Sequence, residues 1–194
     1  RHSFPTRRSS DLDKLVFELD NDEETYQVYP FRFRLLIAYK LENNKLSVTY
    51  QVFNRDKKAL YFSIGGHPGF NVPFNGGEKY EDYFIEFEKE ETLHRYLLTD
   101  AGLQSGDTEK VLEHEQVLPL KHSYFEKDAL VFKNLNSEKL SLGSRTNQRR
   151  IEMTFEGFPY LGIWAKPGPS PYVCIEPWCG IAGRDGESGE IDKK

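Results

Sequence analysis

The 194-residue chain holds only two cysteines, one methionine and two tryptophans. Two cysteines in a chain of this length do not make a disulfide framework, which favours a reducing, cytoplasmic setting. Nowhere does an apolar run approach the ~20 residues of a membrane-spanning helix, so no membrane partner is expected. Positive charge is in deficit, with 26 Lys+Arg against 31 Asp+Glu and a net charge of −5. That balance argues against a general nucleic-acid binder. Helical periodicity is scarce too: no window of useful length repeats its apolar residues at 3.6, and only Glu90–Thr99 could hold a helical turn. There is no Gly-rich phosphate loop ahead of a helix and no G-x-S-x-G elbow. Cys174 and Cys179 stand five apart with no second pair, and His67, His94, His114 and His122 show no metal-like spacing to them. No metal is therefore expected, and both thiols read as structural.

Aromatic side chains are plentiful, with 14 Phe and 11 Tyr, too many for a disordered chain. The length fits one domain, which can bury a core without disulfide or metal staples. The first twelve residues stand apart. They are Arg/Ser-rich, acid-poor and without apolar period. An organelle transit peptide or a basic arm would have that composition. The string His2–Leu12 also resembles the conceptual translation of a sequencing-adapter oligonucleotide, and on that reading 1–12 is a non-native assembly scar. The expectation is then a single β-sandwich domain over 13–194, the C-terminal part of something larger, with native sequence before Asp13 missing.

From residue 30 onward alternation dominates, the mark of half-buried strands. Phe31, Phe33, Leu35, Ile37, Tyr39 and Leu41 share one face. After Glu42-Asn43-Asn44-Lys45, a turn chemistry that tolerates left-handed backbone, Leu46, Val48, Tyr50 and Val52 alternate again. The two segments predict a hairpin. Shorter runs follow at Tyr83–Glu88, Leu130–Phe132, Leu140–Leu142, Ile151–Glu156, Leu161–Ala165 and Tyr172–Glu176. Many short strands with Gly/Pro/Asn punctuation predict an all-β fold, an antiparallel sandwich or barrel. The polar tail from Gly183 reads as loosely held.

Two segments carry unusual chemistry. In Ser63-Ile64-Gly65-Gly66-His67-Pro68-Gly69-Phe70-Asn71-Val72-Pro73, a strand end runs through two glycines into a histidine that Pro68 restricts to an extended conformation. An imidazole held this way can act as general acid or base near neutral pH. The same residues also suit a turn histidine that only caps a strand. In Tyr172-Val173-Cys174-Ile175-Glu176-Pro177-Trp178-Cys179-Gly180, Tyr172, Cys174 and Glu176 share one face of a strand that Pro177 is expected to end. A carboxylate in a half-dry setting has a raised pKa and becomes a usable base. A charge at a strand end pointing into water is the alternative. Arg145, Arg149 and Arg150 form a basic cluster around Asn147, read as a solvated hairpin or as a phosphate contact.

The two segments, Ser63–Pro73 and Cys174–Ile181, resemble the aldose 1-epimerase (galactose mutarotase) family, and within it a LacX-like bacterial branch. The resemblance runs from about Leu15 to Ala182. It implies an antiparallel β-sandwich of the galactose mutarotase-like supersandwich type, incomplete at the N-terminus, with a sugar cleft on one sheet. It implies an isomerase that interconverts the α and β anomers of a hexose or hexose phosphate with no metal or organic cofactor. His67 inherits the role of general acid and Glu176 that of general base. Asp128, in Phe125-Glu126-Lys127-Asp128-Ala129-Leu130-Val131-Phe132, inherits a role in binding sugar hydroxyls. Nothing before Phe31 matches the family's N-terminal strands, its His-Gly-Phe segment or the nearby arginine. Two other functions fit the same pattern: a sandwich that binds sugar without exchanging its anomers, and an inactive truncated fragment with an exposed sheet edge.

Overall fold

The structure is a computed structural model; it describes the backbone of 6–11 and residues 13–189. The segment 1–12 set apart above lies outside the described residues, except that the backbone of Thr6–Asp11 forms a strand. The end of the polar tail, 190–194, also lies outside them. Thirteen strands are described: β1 (Thr6–Asp11), β2 (Lys14–Asp20), β3 (Phe33–Glu42), β4 (Lys45–Asn54), β5 (Ile64–Gly65), β6 (Gly69–Asn71), β7 (Tyr83–Leu98), β8 (Gln104–Pro119), β9 (Leu130–Lys133), β10 (Lys139–Ser144), β11 (Arg150–Thr154), β12 (Tyr160–Trp164) and β13 (Tyr172–Cys179). The expected all-β architecture holds, every strand-to-strand pairing is antiparallel, and no sheet closes into a barrel.

The chain divides into two compact units, one ending at Tyr61 and the other beginning at Phe62. The first is a four-stranded meander, β1-β2-β3-β4. Its β3–β4 hairpin is the one predicted, with Glu42 opposite Lys45. Asn43 takes φ 54° in the tight turn, which asparagine tolerates. One short helix, α1 (Glu23–Val28), departs from the helix-free expectation. Asp22 starts it: its carboxylate accepts from Thr25 N at 2.8 Å, and Thr25 Oγ1 accepts from Asp22 N at 2.8 Å. This reciprocal capping satisfies two of the first orphan amides, with threonine in the place usually taken by Glu or Gln. No α1 side chain is buried, so an apolar period could not announce it.

The second unit is the sandwich. One sheet runs β11-β10-β7-β8; the other runs β5-β13-β12-β9, with β6 also on β13. Their inner faces share a single core that includes Ile85, Phe87, Leu118, Phe132, Leu142, Leu161, Ile163, Val173 and Ile175. The long β7–β8 ladder is the largest departure from the sequence pattern. Within Glu90–Thr99, where a helical turn could have formed, residues 90–98 continue β7, and residues 104–119 form β8. The alternation is real but disguised, because two inward positions of β7 are Glu91 and Arg95. Each is buried with partners, as burial of charge requires. Glu91 accepts from Ser137 N at 2.8 Å and Asn136 N at 3.1 Å. Arg95 bonds Glu109 and donates to Tyr124 O at 2.9 Å. No helix among the described residues is long and apolar enough to cross a membrane.

Candidate active site

The site is built on β13, whose odd and even positions part as strand geometry requires. Val173 and Ile175 enter the core. Cys174, Glu176 and Trp178 therefore take the other face of the same sheet. Two short strands share one edge of β13: β5 pairs with Trp178 and Cys179, and β6 pairs with Tyr172, Val173 and Cys174. Between them, Gly66 N donates to Pro177 O at 3.0 Å and Ile175 N donates to Pro68 O at 3.2 Å. His67 is thus clamped from both sides opposite Glu176. The result is a direct contact, with His67 Nε2 3.3 Å from Glu176 Oε1.

The two partners differ in environment. The Glu176 side chain is 3 % exposed and that of His67 62 %. Burial raises the Glu176 pKa, while the neighbouring His67 and a hydrogen bond from Trp178 pull the other way. Glu176 therefore does not end the strand in water, and the turn histidine meets its carboxylate. Nor does Pro177 end the strand, since β13 runs through it to Cys179. A proline lacks only the amide donor, and its carbonyl is what holds Gly66.

Aromatic rings frame the pair. Trp164, opposite Cys174 on β12, meets His67 edge-on with ring centroids 6.0 Å apart. The Trp178 indole lies over Gly162, which pairs with Glu176, and beside Gly65. A Cβ at Gly162 would come within 2.6 Å of that indole, and one at Gly65 within 2.5 Å. Both glycines are required by close approach rather than by backbone angle. A cavity of about 380 Å³ lies along Trp178, lined also by Ser63, Ile64, Gly65, Gly180, Ile181 and Ala182. That volume is within the roughly 300–1,000 Å³ of small-molecule pockets.

Asp128 is not brought to this pair. It sits just before β9 with φ 141°, its carboxylate accepting from Ala129 N at 2.7 Å. It lines a separate cavity of about 260 Å³ with Arg95, Tyr96, Leu97, Leu98, Lys127 and Ala129. The arginine cluster is on the other sheet, at the β10–β11 hairpin. Arg149 bonds Asn75, Arg150 donates to Ser144 O at 3.1 Å, and Arg145 and Arg150 lie over the Phe84 ring.

Spacing along the chain found no metal set, yet among the described residues the fold gathers one group that could hold a cation. The ligand atoms of His67, Cys174 and Glu176 all lie within 4.8 Å of one another. The signal available in the sequence was the shared strand face of Cys174 and Glu176; the third member arrives only by β5–β6 pairing.

This antiparallel sandwich is a fold shared with proteins of known structure. The family model described as aldose 1-epimerase matches residues 5–190, and the chain belongs to the aldose 1-epimerase family. Protein LacX of Lactococcus lactis subsp. lactis is 30 % identical over 190 residues, 94 % of this chain and 64 % of LacX. The chain thus spans under two thirds of that curated relative. A galactose mutarotase related enzyme from Lactobacillus acidophilus aligns with TM-score 0.89 and 33 % identity, over 98 % of this chain and 64 % of that one. A galactose mutarotase-like protein from Lactobacillus casei aligns with TM-score 0.84 and 28 % identity, over 94 % and 63 %.

Proposed function

We propose that the chain carries the acid–base pair of an aldose 1-epimerase, acting on the anomeric centre of a hexose. The observation that carries this reading is the direct 3.3 Å approach of His67 Nε2 to the buried Glu176 carboxylate. Mutarotation opens a hemiacetal ring and closes it on the other face. Glu176 takes the proton of the C1 hydroxyl, and the C1 oxygen becomes a carbonyl as the bond from C1 to the ring oxygen breaks. Protonated His67 delivers its proton to that ring oxygen. Rotation about C1–C2 and reversal of both transfers give the other anomer. The two reacting oxygens sit on one carbon, so an acid and a base held a few ångströms apart suit this substrate. No step calls on a metal or organic cofactor.

Trp164 and Trp178 offer flat apolar surface beside the pair, which supports a pyranose as the guest. Asp128, if it binds sugar hydroxyls, does so in the cavity it lines with Arg95 and Lys127. An unphosphorylated hexose fits better than its phosphate, because Arg149 and Arg150 are engaged on the β10–β11 hairpin.

Polarimetry on freshly dissolved glucose or galactose tests the reading. Each positioned proton-transfer group is worth about 10²–10⁴-fold, so Glu176→Gln and His67→Asn are each expected to slow mutarotation by at least about 10²-fold. Unchanged rates in both folded variants would remove the assignment. Sugar binding without any anomer exchange by the unsubstituted chain would leave a carbohydrate-binding sandwich instead.

A further inference from the structure

We propose that His67, Cys174 and Glu176 form a binding site for one thiophilic divalent cation of the Zn2+ class, and that a bound cation shuts the sugar site. The second half rests on the acid–base reading above; the first half does not. The three ligand atoms lie within 4.8 Å of one another. Around a tetrahedral Zn2+, nitrogen, sulfur and oxygen ligands stand roughly 3.3–3.6 Å apart. His67 Nε2 and Glu176 Oε1, at 3.3 Å, already have that separation. The remaining adjustment falls on His67, the exposed member of the set.

Charge and softness point the same way. One thiolate and one carboxylate neutralise a divalent ion, and a neutral imidazole completes three ligands. A buried site with no net charge avoids most of the desolvation penalty that an unbalanced ion would incur. Cys174 and Glu176 are both buried, at 5 % and 2 % exposure. Sulfur and imidazole together select Zn2+ or a similar metal over Mg2+ and Ca2+, which take oxygen ligands. Three protein ligands leave a fourth position open on the His67 side, the pattern of zinc sites that keep an exchangeable water. The hydrogen bond from Trp178 to Glu176 would orient the carboxylate from outside the ligand set. On binding, the Cys174 thiol releases its proton to water and a sulfur–metal bond forms; no electron changes hands. His67 and Glu176 then spend their lone pairs on the ion and can neither deliver nor accept the protons that ring opening needs.

The test titrates the metal-free full chain with Co2+, whose bond to a thiolate gives a charge-transfer band in the near ultraviolet. One Co2+ per chain with that band is expected, displaced by Zn2+. Cys174→Ser should abolish the band, Cys179→Ser should keep it, and His67→Asn should weaken Co2+ binding by more than about 10-fold. Because His67 is exposed, that last variant reports on the site even where Cys174→Ser fails to fold. In polarimetry, saturating Zn2+ should slow mutarotation by more than about 10-fold, with recovery on chelation. No band in the unsubstituted chain, or a band that survives in folded Cys174→Ser, would overturn the site. A band with mutarotation untouched by Zn2+ would overturn its closing of the sugar site. A chain that shows the band but never mutarotates would instead sink the enzymatic reading and leave the cation site standing.

Discussion

Two regions of this chain solve the problem of a sheet differently. In the unit beginning at Phe62, two sheets turn their inner faces to each other and seal residues such as Leu130, Phe132, Leu161 and Ile163 from water. In the unit ending at Tyr61, Glu18 is the one buried side chain among the described residues. Its four strands alternate as well as any in the molecule, yet Leu41, Leu46, Val48 and Phe53 stay exposed. Alternation makes a sheet two-faced; a second layer is what turns one of those faces into a core. The site sits in the unit with the layers. Glu176 can be held dry because Val173 and Ile175, its neighbours on β13, anchor the strand in a closed interior.

The largest effect that would break this contrast is a cavity in the sandwich. Phe132→Ala is expected to cost about 3–5 kcal/mol, the usual loss for a fully buried ring. Ile37→Ala, half-buried on β3, should cost about 1 kcal/mol because it removes less surface from water. Both tryptophans, Trp164 and Trp178, lie in the second unit, so urea denaturation followed by tryptophan fluorescence reads that unit selectively. Phe132→Ala should lower its midpoint sharply and Ile37→Ala barely. A shift from Ile37→Ala in proportion to its smaller cost would show that the two units unfold as one.

Each unit also has a buried carboxylate, and comparing them sharpens the point. Glu91 receives two backbone amides from the loop after β9, Asn136 and Ser137. Glu91→Ala strands both donors inside the protein and should cost about 1.5–3 kcal/mol. Glu18 pairs with Arg34 at 2.8 Å, and Arg34 also holds Asp20. Glu18→Ala removes one of two partners of a half-exposed cation, so its loss should be the smaller. Urea midpoints of the two variants, read by circular dichroism, check the order, and a larger loss at Glu18 would reverse it.

These buried charges also explain what could and could not be read from the chain. Where one face of the strand is apolar, as in β3, β4, β12 and β13, period two showed the strands and their faces. The Glu176 face was legible because Val173 and Ile175 alternate with it. In β7 and β8 the inward positions include Glu91 and Arg95, whose burial depends on partners tens of residues away, and no local pattern records those. Pro177 misled for the same reason: whether a proline stops a strand depends on which neighbour needs its amide. The meeting of His67 with Glu176 was suggested by resemblance rather than by pattern. Cys174 joins them because two short strands share an edge of β13.

The smallest expected effect is one of pH, and it belongs to the loop between β6 and β7, which bonds the β10–β11 turn. Glu78 accepts hydrogen bonds from Tyr83 Oη, from Thr146 Oγ1 at 2.6 Å, from Asn147 Nδ2 and from Asn75 Nδ2 at 3.4 Å. These donors, Thr146 first and Tyr83 next, pull its pKa down from 4.5 to about 2. A carboxylate whose pKa is lower folded than unfolded stabilises the fold above the unfolded value. That contribution is whole at neutral pH, begins to fade near pH 4.5 and is gone by about pH 2. Glu78→Gln lacks it at every pH. The difference in urea midpoint between the unsubstituted chain and Glu78→Gln should therefore be constant from pH 7 to about 5.5 and shrink as the pH falls toward 2, in proportion to protonation. Should the gap stay open at low pH, the four donors would be recognising the shape of the side chain and not its charge.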